Sequence, residues 1–264
     1  MNKPKVAYQS PGPGEPILLI HGLGSAATAW KPIIQKLESK FKVISIDLPG
    51  HGSADWIDHR SLEPEVLAKL VFELMSENNI EKFHLVGNSL GGWIALEMAA
   101  MIPDRVKSLV GLAPAGLWHN PAKTRSRYAF SKVMADSLKG VAPKLLKVGI
   151  ARKVGFEPFS PNWATLDLET CLDAVAALGN CHGYYHTWDA MLHHKFDKKI
   201  SSSIPTTIIF GDSDWTLPVE NSQERSLAPA HCKWLVLPKC GHAPMWDRPD
   251  EVVAEIFRAA GIAQ

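Results

Sequence analysis

The sequence predicts an α/β fold: a central sheet flanked by helices, with a helical cap inserted into it. Three observations carry that prediction. Short apolar runs of strand length alternate with amphipathic stretches of helix length. The runs Ile17 to Ile20, Phe41 to Ile46, Phe83 to Val86 and Thr206 to Phe210 each empty into a turn rich in glycine. From Ala113 to about Lys199 the strand pattern lapses, and helical patches follow one another instead.

In chain order, Lys5 to Gln9 reads as an edge strand, and Ser10 to Pro16 is a turn region dense in Pro and Gly. Ile17 to Ile20 is a continuous apolar strand. Trp30, Ile33, Ile34 and Leu37 fall on one helical face, with Pro32 tolerable in the first turn. Phe41 to Ile46 is the next strand, and Leu62 to Glu77 the next amphipathic helix. Phe83 to Val86 is short and apolar, as a buried strand should be. Beyond it the apolar stretch Trp93 to Ile102 contains no Pro and has almost no polar face, which predicts a buried helix. Arg105 to Leu112 gives a further strand.

The helical patches that follow centre on Tyr128, Phe130, Val133 and Met134, then on Val141 to Val148. A third carries Leu168, Leu172, Val175 and Leu178 with Thr165 as N-cap, and a fourth spans Gly183 to Leu192. The strand rhythm returns with Thr206 to Phe210 and Trp234 to Leu237, and Val252 to Ala260 closes the chain as a helix. The expected organisation is therefore a core of residues 1–113 and 200–264, with a cap of residues 114–199 over the carboxyl edge of the sheet, where open α/β sheets bind ligands. Basic residues gather between Lys123 and Lys153, and the reading preferred over a membrane or nucleic-acid patch is a solvated helix face.

Composition narrows the function classes. A chain of 264 residues supports one substantial core, and a net charge of +1 provides no broad field for nucleic acid or anionic membrane. The stretch Met1 to Gly14 is polar and lacks the apolar segment of a secretory signal, and no run approaches the roughly 18 apolar residues of a membrane helix. Cys171, Cys181, Cys232 and Cys240 have no metal-type spacing and are too few for a disulfide scaffold. They read as reduced thiols in a cytoplasmic protein. Of the nine Trp residues, Trp118, Trp163, Trp188, Trp215 and Trp246 lie in stretches expected near a pocket.

The chemistry centres on Gly87-Asn88-Ser89-Leu90-Gly91-Gly92, between a buried strand and an apolar helix. A serine flanked at two residues by glycine on either side fits a sharp strand-to-helix turn, because side chains beside it would collide. Its hydroxyl then stands at a helix N-terminus, where unsatisfied N–H groups receive developing negative charge. The earlier loop His21-Gly22-Leu23-Gly24-Ser25 lacks the full dinucleotide pattern G-x-G-x-x-G, and no acidic residue stands in the ribose position at the end of the next strand, Asp47 being the nearest. It fits better as an anion-facing loop, with the Leu23 and Leu90 N–H groups as oxyanion donors. His51 could act as a base by its chemistry, but its turn rich in helix breakers favours a structural hydrogen bond. Asp212 and Asp214 follow the sixth apolar run, and His242 the last, so Ser, Asp and His loops share one sheet edge.

With these motifs in that order, the chain resembles the α/β-hydrolase family over nearly its whole length. His21-Gly22-Leu23-Gly24 is similar to the family's oxyanion loop, Gly87 to Gly92 to its nucleophile elbow, Gly211-x-x-Asp214-x-x-x-Pro218 to its acid loop and Gly241-His242-x-Pro244 to its histidine loop. The resemblance implies a mostly parallel eight-stranded sheet, with the first strands curtailed by the short N-terminus. It also implies a catalytic triad of Ser89, Asp214 and His242. Asp212 competes for the acid role, but its place nearer the strand suits a turn residue. Position 89 being Ser disfavours the relatives that use an Asp nucleophile, the haloalkane dehalogenases and epoxide hydrolases. The activity implied is hydrolysis of small-to-medium apolar carboxylic esters through an acyl-enzyme, with water as co-substrate. Neither cofactor nor metal is expected, nor nucleic acid, nor stable membrane insertion, and the oligomeric state is left open. Asn88, where many members carry His, is similar to the C–C bond hydrolases of aromatic ring-fission products. Those enzymes need a cap arginine for a substrate carboxylate, for which Arg125, Arg127 and Arg152 are the available residues. A ligand-binding or interaction protein on the same scaffold is the non-enzymatic alternative.

Overall fold

The computed structural model describes residues 3–56, 62–119, 125–138 and 140–263, with residues 125–131 described by backbone alone. Among them the sheet has seven strands in the order β1-β3-β2-β4-β5-β6-β7. These are β1 (Lys5–Gln9), β2 (Pro16–Ile20), β3 (Lys42–Asp47), β4 (Phe83–Asn88), β5 (Val106–Leu112), β6 (Thr206–Gly211) and β7 (Lys233–Leu237). Only β1 runs antiparallel, against β3; every other neighbour pair is parallel. Against the eight strands implied, with the first antiparallel ones curtailed, the described residues form seven, and one antiparallel edge strand, β1, precedes the parallel sheet.

Strands β2 to β6 are buried on both faces, which is why they read as unbroken apolar runs rather than alternating ones, while the edge strand β7 is partly exposed. In β2, Leu18 and Ile20 enter one core while Ile17 and Leu19 enter the other. A slip of one residue would exchange the two sets, so the pairing Leu18–Ile44 and Leu18–Leu85 is held by packing on both sides. One core is closed by α2 (Pro64–Glu77) and α3 (Leu90–Met101), the other by α1 (Lys31–Glu38) and the final helix. Every residue of α3 from Leu90 to Ala99 is buried, as its missing polar face predicted. Its one acid, Glu97, accepts from Trp93 Nε1 at 3.0 Å and pairs with Lys198 at 3.0 Å.

Between β5 and β6 the chain forms α4 (Arg125–Leu138), α5 (Ala142–Leu145), α6 (Gly149–Phe156), α7 (Leu168–Gly179) and α8 (Tyr184–Met191). This helical insertion has a small core of its own, in which Ala142, Leu146 and Phe156 meet Leu166 and Cys171. The patch expected over Val141 to Val148 holds only the short helix α5, and α6 begins beyond it at Gly149. The N-cap of α7 is Asp167, not Thr165: its carboxylate accepts from Thr170 N at 2.6 Å and Thr170 Oγ1 at 3.0 Å. Short helices α9 (Val219–Ser222) and α10 (Pro244–Asp247) precede α11 (Pro249–Ala259). Strand order reverses between β2 and β4, whose carboxyl ends flank the crevice where this architecture places ligands.

Candidate active site

Ser89 joins β4 to α3 with φ 54° and ψ −115°, a conformation that costs a non-glycine residue about 1–3 kcal/mol. Its surroundings hold it there. Ser89 N donates to Leu112 O at 2.9 Å, and Ser89 O accepts from Trp93 N at 3.1 Å and Ala115 N at 2.9 Å. Glycine is required at position 91, since a Cβ there would lie 2.0 Å from Ile20 O. The elbow therefore packs directly on the end of β2. The β2 loop returns the contact, because a Cβ on Gly22 would meet Ser89 Cβ at 3.1 Å. Leu23, in that loop, lines the same cavity as Ser89, and Leu90 opens α3, so its N–H has no intrahelical acceptor.

The β2 loop is itself fixed by buried polar groups. Leu48 N donates to His21 Nε2 at 3.1 Å, so the ring's proton sits on Nδ1 and is donated to Gly22 O at 2.7 Å. Burial lowers the basicity of His21 and keeps it neutral. Asp47 accepts from Ala27 N, Ser53 N and Ser53 Oγ at 2.8, 2.7 and 2.9 Å, which makes it a loop anchor and not a ribose ligand. His51 is also buried, bonded through Nδ1 to Pro49 O at 2.9 Å, and burial together with the neighbouring His21 pushes its pKa down to about 3. It is the structural turn residue expected, and it lies outside the cavity lining.

At the other side of the crevice, His242 Nδ1 lies 2.9 Å from Asp214 Oδ2. The second oxygen of Asp214 accepts from Thr216 N at 2.9 Å and Leu217 N at 2.8 Å, so the carboxylate is buried but fully engaged. Asp212 is instead a loop residue, accepting from Ser213 Oγ at 2.8 Å and Cys240 N at 3.3 Å. Asn88 Nδ2 donates to both Leu112 O and His242 O at 3.0 Å, tying the elbow strand to the histidine loop. Burial and the nearby Asp247 and Asp214 push the Cys240 thiol up, so it is no competing nucleophile.

A set of contacts unforeseen in the sequence joins the insertion to this loop. His242 N donates to Phe159 O at 2.8 Å. Asp247 accepts from Gly241 N at 2.7 Å, from Asn162 Nδ2 at 3.1 Å and from Ser160 Oγ, while Asn162 Nδ2 also donates to Lys239 O at 2.8 Å. Gly241 is packed so closely that a Cβ would sit 2.3 Å from Phe159 O. No spacing in the sequence singles out Asp247, because Asn162 lies 85 residues away.

Ser89 and His242 line one cavity of about 170 Å³. Its walls come from the β2 loop (Leu23), the insertion (Phe156, Phe159, Val175, Leu178, Tyr184, Trp188) and the histidine loop (Met245, Trp246). Among the described residues that line it, none is Lys, Arg, Asp or Glu. Of the tryptophans expected at the pocket only Trp188 and Trp246 reach it. Trp118 packs edge-on against Trp93 at 5.4 Å, Trp163 joins the insertion's core and Trp215 is exposed. Arg152 turns away to donate to Leu166 O and, at 3.4 Å, Trp163 O, while the side chains of Arg125 and Arg127 lie outside the described residues. A serine hydroxyl at a strained elbow, an imidazole oriented by a buried carboxylate and free helix N–H groups around one apolar cavity are the parts that acyl transfer requires. No group of His, Cys, Asp and Glu among the described residues could hold a metal ion.

The sequence profile of the alpha/beta hydrolase family matches residues 17–255. The chain is 26% identical over 262 residues to monoacylglycerol lipase ABHD6 of Homo sapiens, an alignment covering 90% of this chain and 73% of that one. It is 26% identical over 255 residues to the pimeloyl-[acyl-carrier protein] methyl ester esterase of Aliivibrio salmonicida, covering 95% and 94%. Among solved structures, a hydrolase from Pseudomonas aeruginosa superposes with a TM-score of 0.76 at 20% identity, over 96% of this chain and 93% of that one.

Proposed function

The chain belongs to the alpha/beta hydrolase family, and from that premise we propose that it is a serine hydrolase cleaving small-to-medium apolar carboxylic esters through an acyl-enzyme. Ser89 is the nucleophile. Its Oγ attacks the ester carbonyl while His242 Nε2 takes its proton, and Asp214 holds the imidazole in the Nδ1–H tautomer and stabilises the imidazolium. The Leu23 and Leu90 N–H groups receive the oxyanion. His242 then gives its proton to the leaving alcohol, takes one from the water that attacks the acyl-enzyme, and returns it to Ser89 Oγ as the acid leaves. Residues 114–199 act as a lid domain over a core of residues 1–113 and 200–264, and the four free cysteines support a reducing, cytoplasmic setting.

The observation that carries the reading is an apolar cavity containing Ser89 and His242 without a cation in its described lining. A ring-fission acid would bury its carboxylate there at a cost of several kcal/mol, whereas an ester develops charge only at the oxyanion. The names of the two curated relatives, a monoacylglycerol lipase and a methyl ester esterase, support ester chemistry in the same direction. The test is covalent labelling by a fluorophosphonate, read by mass spectrometry, beside turnover of a neutral hexanoate ester and a ring-fission acid. Labelling is expected on Ser89 and lost in Ser89→Ala, and kcat/KM for the ester should exceed that for the acid at least about tenfold, about 1.4 kcal/mol. An adduct on another serine would overturn the nucleophile, and preference for the acid would overturn the substrate class.

A further inference from the structure

Helices α5 and α6 are apolar on more than one side. Facing inward, Ala142, Leu146 and Phe156 are buried in the insertion's core. Facing outward, Val141 just before α5, Leu145 at its end and Val148 just before α6 are 47%, 38% and 52% exposed. Ile150 and Val154, four residues apart, are 66% and 72% exposed. Single exposed aliphatics are ordinary, but five within residues 141–154 are more than a water-facing surface calls for.

The charges within this segment are of one sign. Between Val141 and Val154 the charged residues are Lys144, Lys147, Arg152 and Lys153, with no acid among them. Arg152 is turned inward, and Lys153 lies 3.8 Å from Glu157, leaving Lys144 and Lys147 exposed beside the aliphatics. The whole chain carries only +1, so this is a local feature and no overall field. Exposed aliphatics interleaved with lysines on short helices match the boundary of an anionic bilayer, where side chains enter the acyl edge and ammonium groups meet headgroups. The next residues along, Gly155 and Phe156, line the cavity that holds Ser89.

We propose that the exposed side of residues 141–154 docks reversibly on an anionic lipid surface and presents the cavity to esters dissolved in it. The docking stands by itself; the presentation of a lipid-phase ester rests on the serine-hydrolase reading above. The full chain is sedimented with vesicles of phosphatidylcholine alone and of equal parts phosphatidylcholine and phosphatidylglycerol. Binding should favour the anionic vesicles at least about tenfold and weaken with added salt. Both I150D/V154D and K144E/K147E should lower it by about tenfold or more, and lower turnover of a vesicle-borne ester, while turnover of a water-soluble butyrate ester stays within about twofold. That unchanged soluble turnover also reports that the variants fold.

Equal binding to both vesicle types, or none, overturns the proposal. So does a dimer in light scattering that I150D/V154D dissociates, which would assign the face to a second copy of the chain. A parent that binds anionic vesicles but cleaves no soluble ester supports docking while refuting the hydrolase. A parent that cleaves soluble ester and ignores vesicles does the reverse.

Discussion

Replacing Asp247 by Ala tests whether the insertion positions His242. The substitution removes the acceptor shared by Gly241 N, Ser160 Oγ and Asn162 Nδ2. Each hydrogen bond to a charged group contributes about 1.5–3 kcal/mol, but Asp247 is half-buried and water would replace part of the set. A stability loss of about 2–3 kcal/mol is therefore expected, well short of the sum. The catalytic effect has a separate origin. Gly241 immediately precedes His242, whose own N–H is held by Phe159 O. Freeing Gly241 lets the imidazole drift, and a misplacement of about 1 Å costs roughly 10² in rate, or about 2.7 kcal/mol. The cavity walls are untouched, so the loss should fall in kcat with KM for a neutral hexanoate ester little changed. Asp247→Asn retains one acceptor oxygen and should lose about a tenth as much. The assay is kcat and KM with parallel thermal unfolding, with Asp250→Ala, which removes an exposed partner of Lys36, as control. A D247A protein that loses stability but keeps kcat within about twofold would refute a positioning role.

The acid is tested by comparing Asp214→Asn with Asp212→Asn: the first should lower kcat by roughly 10³ to 10⁴, and the second by less than about tenfold. A greater loss in the Asp212 variant, with both folded by circular dichroism, would reverse the assignment. Acid stability follows from the buried histidines. His51, lowered from 6.5 to about 3, and His21, also lowered, stay neutral in the folded chain, while the unfolded chain binds protons below about pH 6.5. Stability contributed by each is complete above that pH and is lost on acidification, for His51 down toward about 3 at about 1.4 kcal/mol per pH unit. Urea unfolding of the parent and of His51→Gln at about pH 7 and pH 5 checks the sign; an equal acid loss in both proteins would remove His51 from the account.

What could be read in advance was local. The elbow is five residues long and its glycines are demanded by contacts within it and with β2, so Ser89 stood out from its neighbours alone. The apolar runs fixed both buried faces of β2 to β6 for the same reason, since a strand covered on two sides needs no partner to be recognised. Preferring Asp214 to Asp212 rests on the resemblance of Gly211-x-x-Asp214-x-x-x-Pro218 to the family's acid loop and on Asp212 lying nearer the strand, and both are visible in the chain. Asp247, the Phe159 carbonyl and the double anchorage of Asn88 were not legible, because each bond joins segments brought together only by the sheet and the insertion. The tryptophans erred in the opposite direction. Proximity in sequence to a loop suggests five at the pocket, yet Trp118 packs on Trp93 and Trp215 lies outside the cavity lining. Thr165 lost the capping role to Asp167, whose carboxylate accepts from both the N–H and the hydroxyl of Thr170.

The bond from His242 N to Phe159 O bears on how such a chain could be rebuilt. Chain connectivity suggests that the helical segment between β5 and β6 is an interchangeable module, to be cut out near residues 113 and 200 and replaced by another. Hydrogen bonding draws the border elsewhere. Phe159, Ser160 and Asn162 serve the histidine loop as a splint, although they lie in the middle of the segment that would be discarded. A transplant respecting only the strand ends would therefore deliver a foreign roof and remove a support from the floor. A chimaera that keeps residues 159–162 in place, and exchanges the helices on either side of them, respects the border that the bonds define.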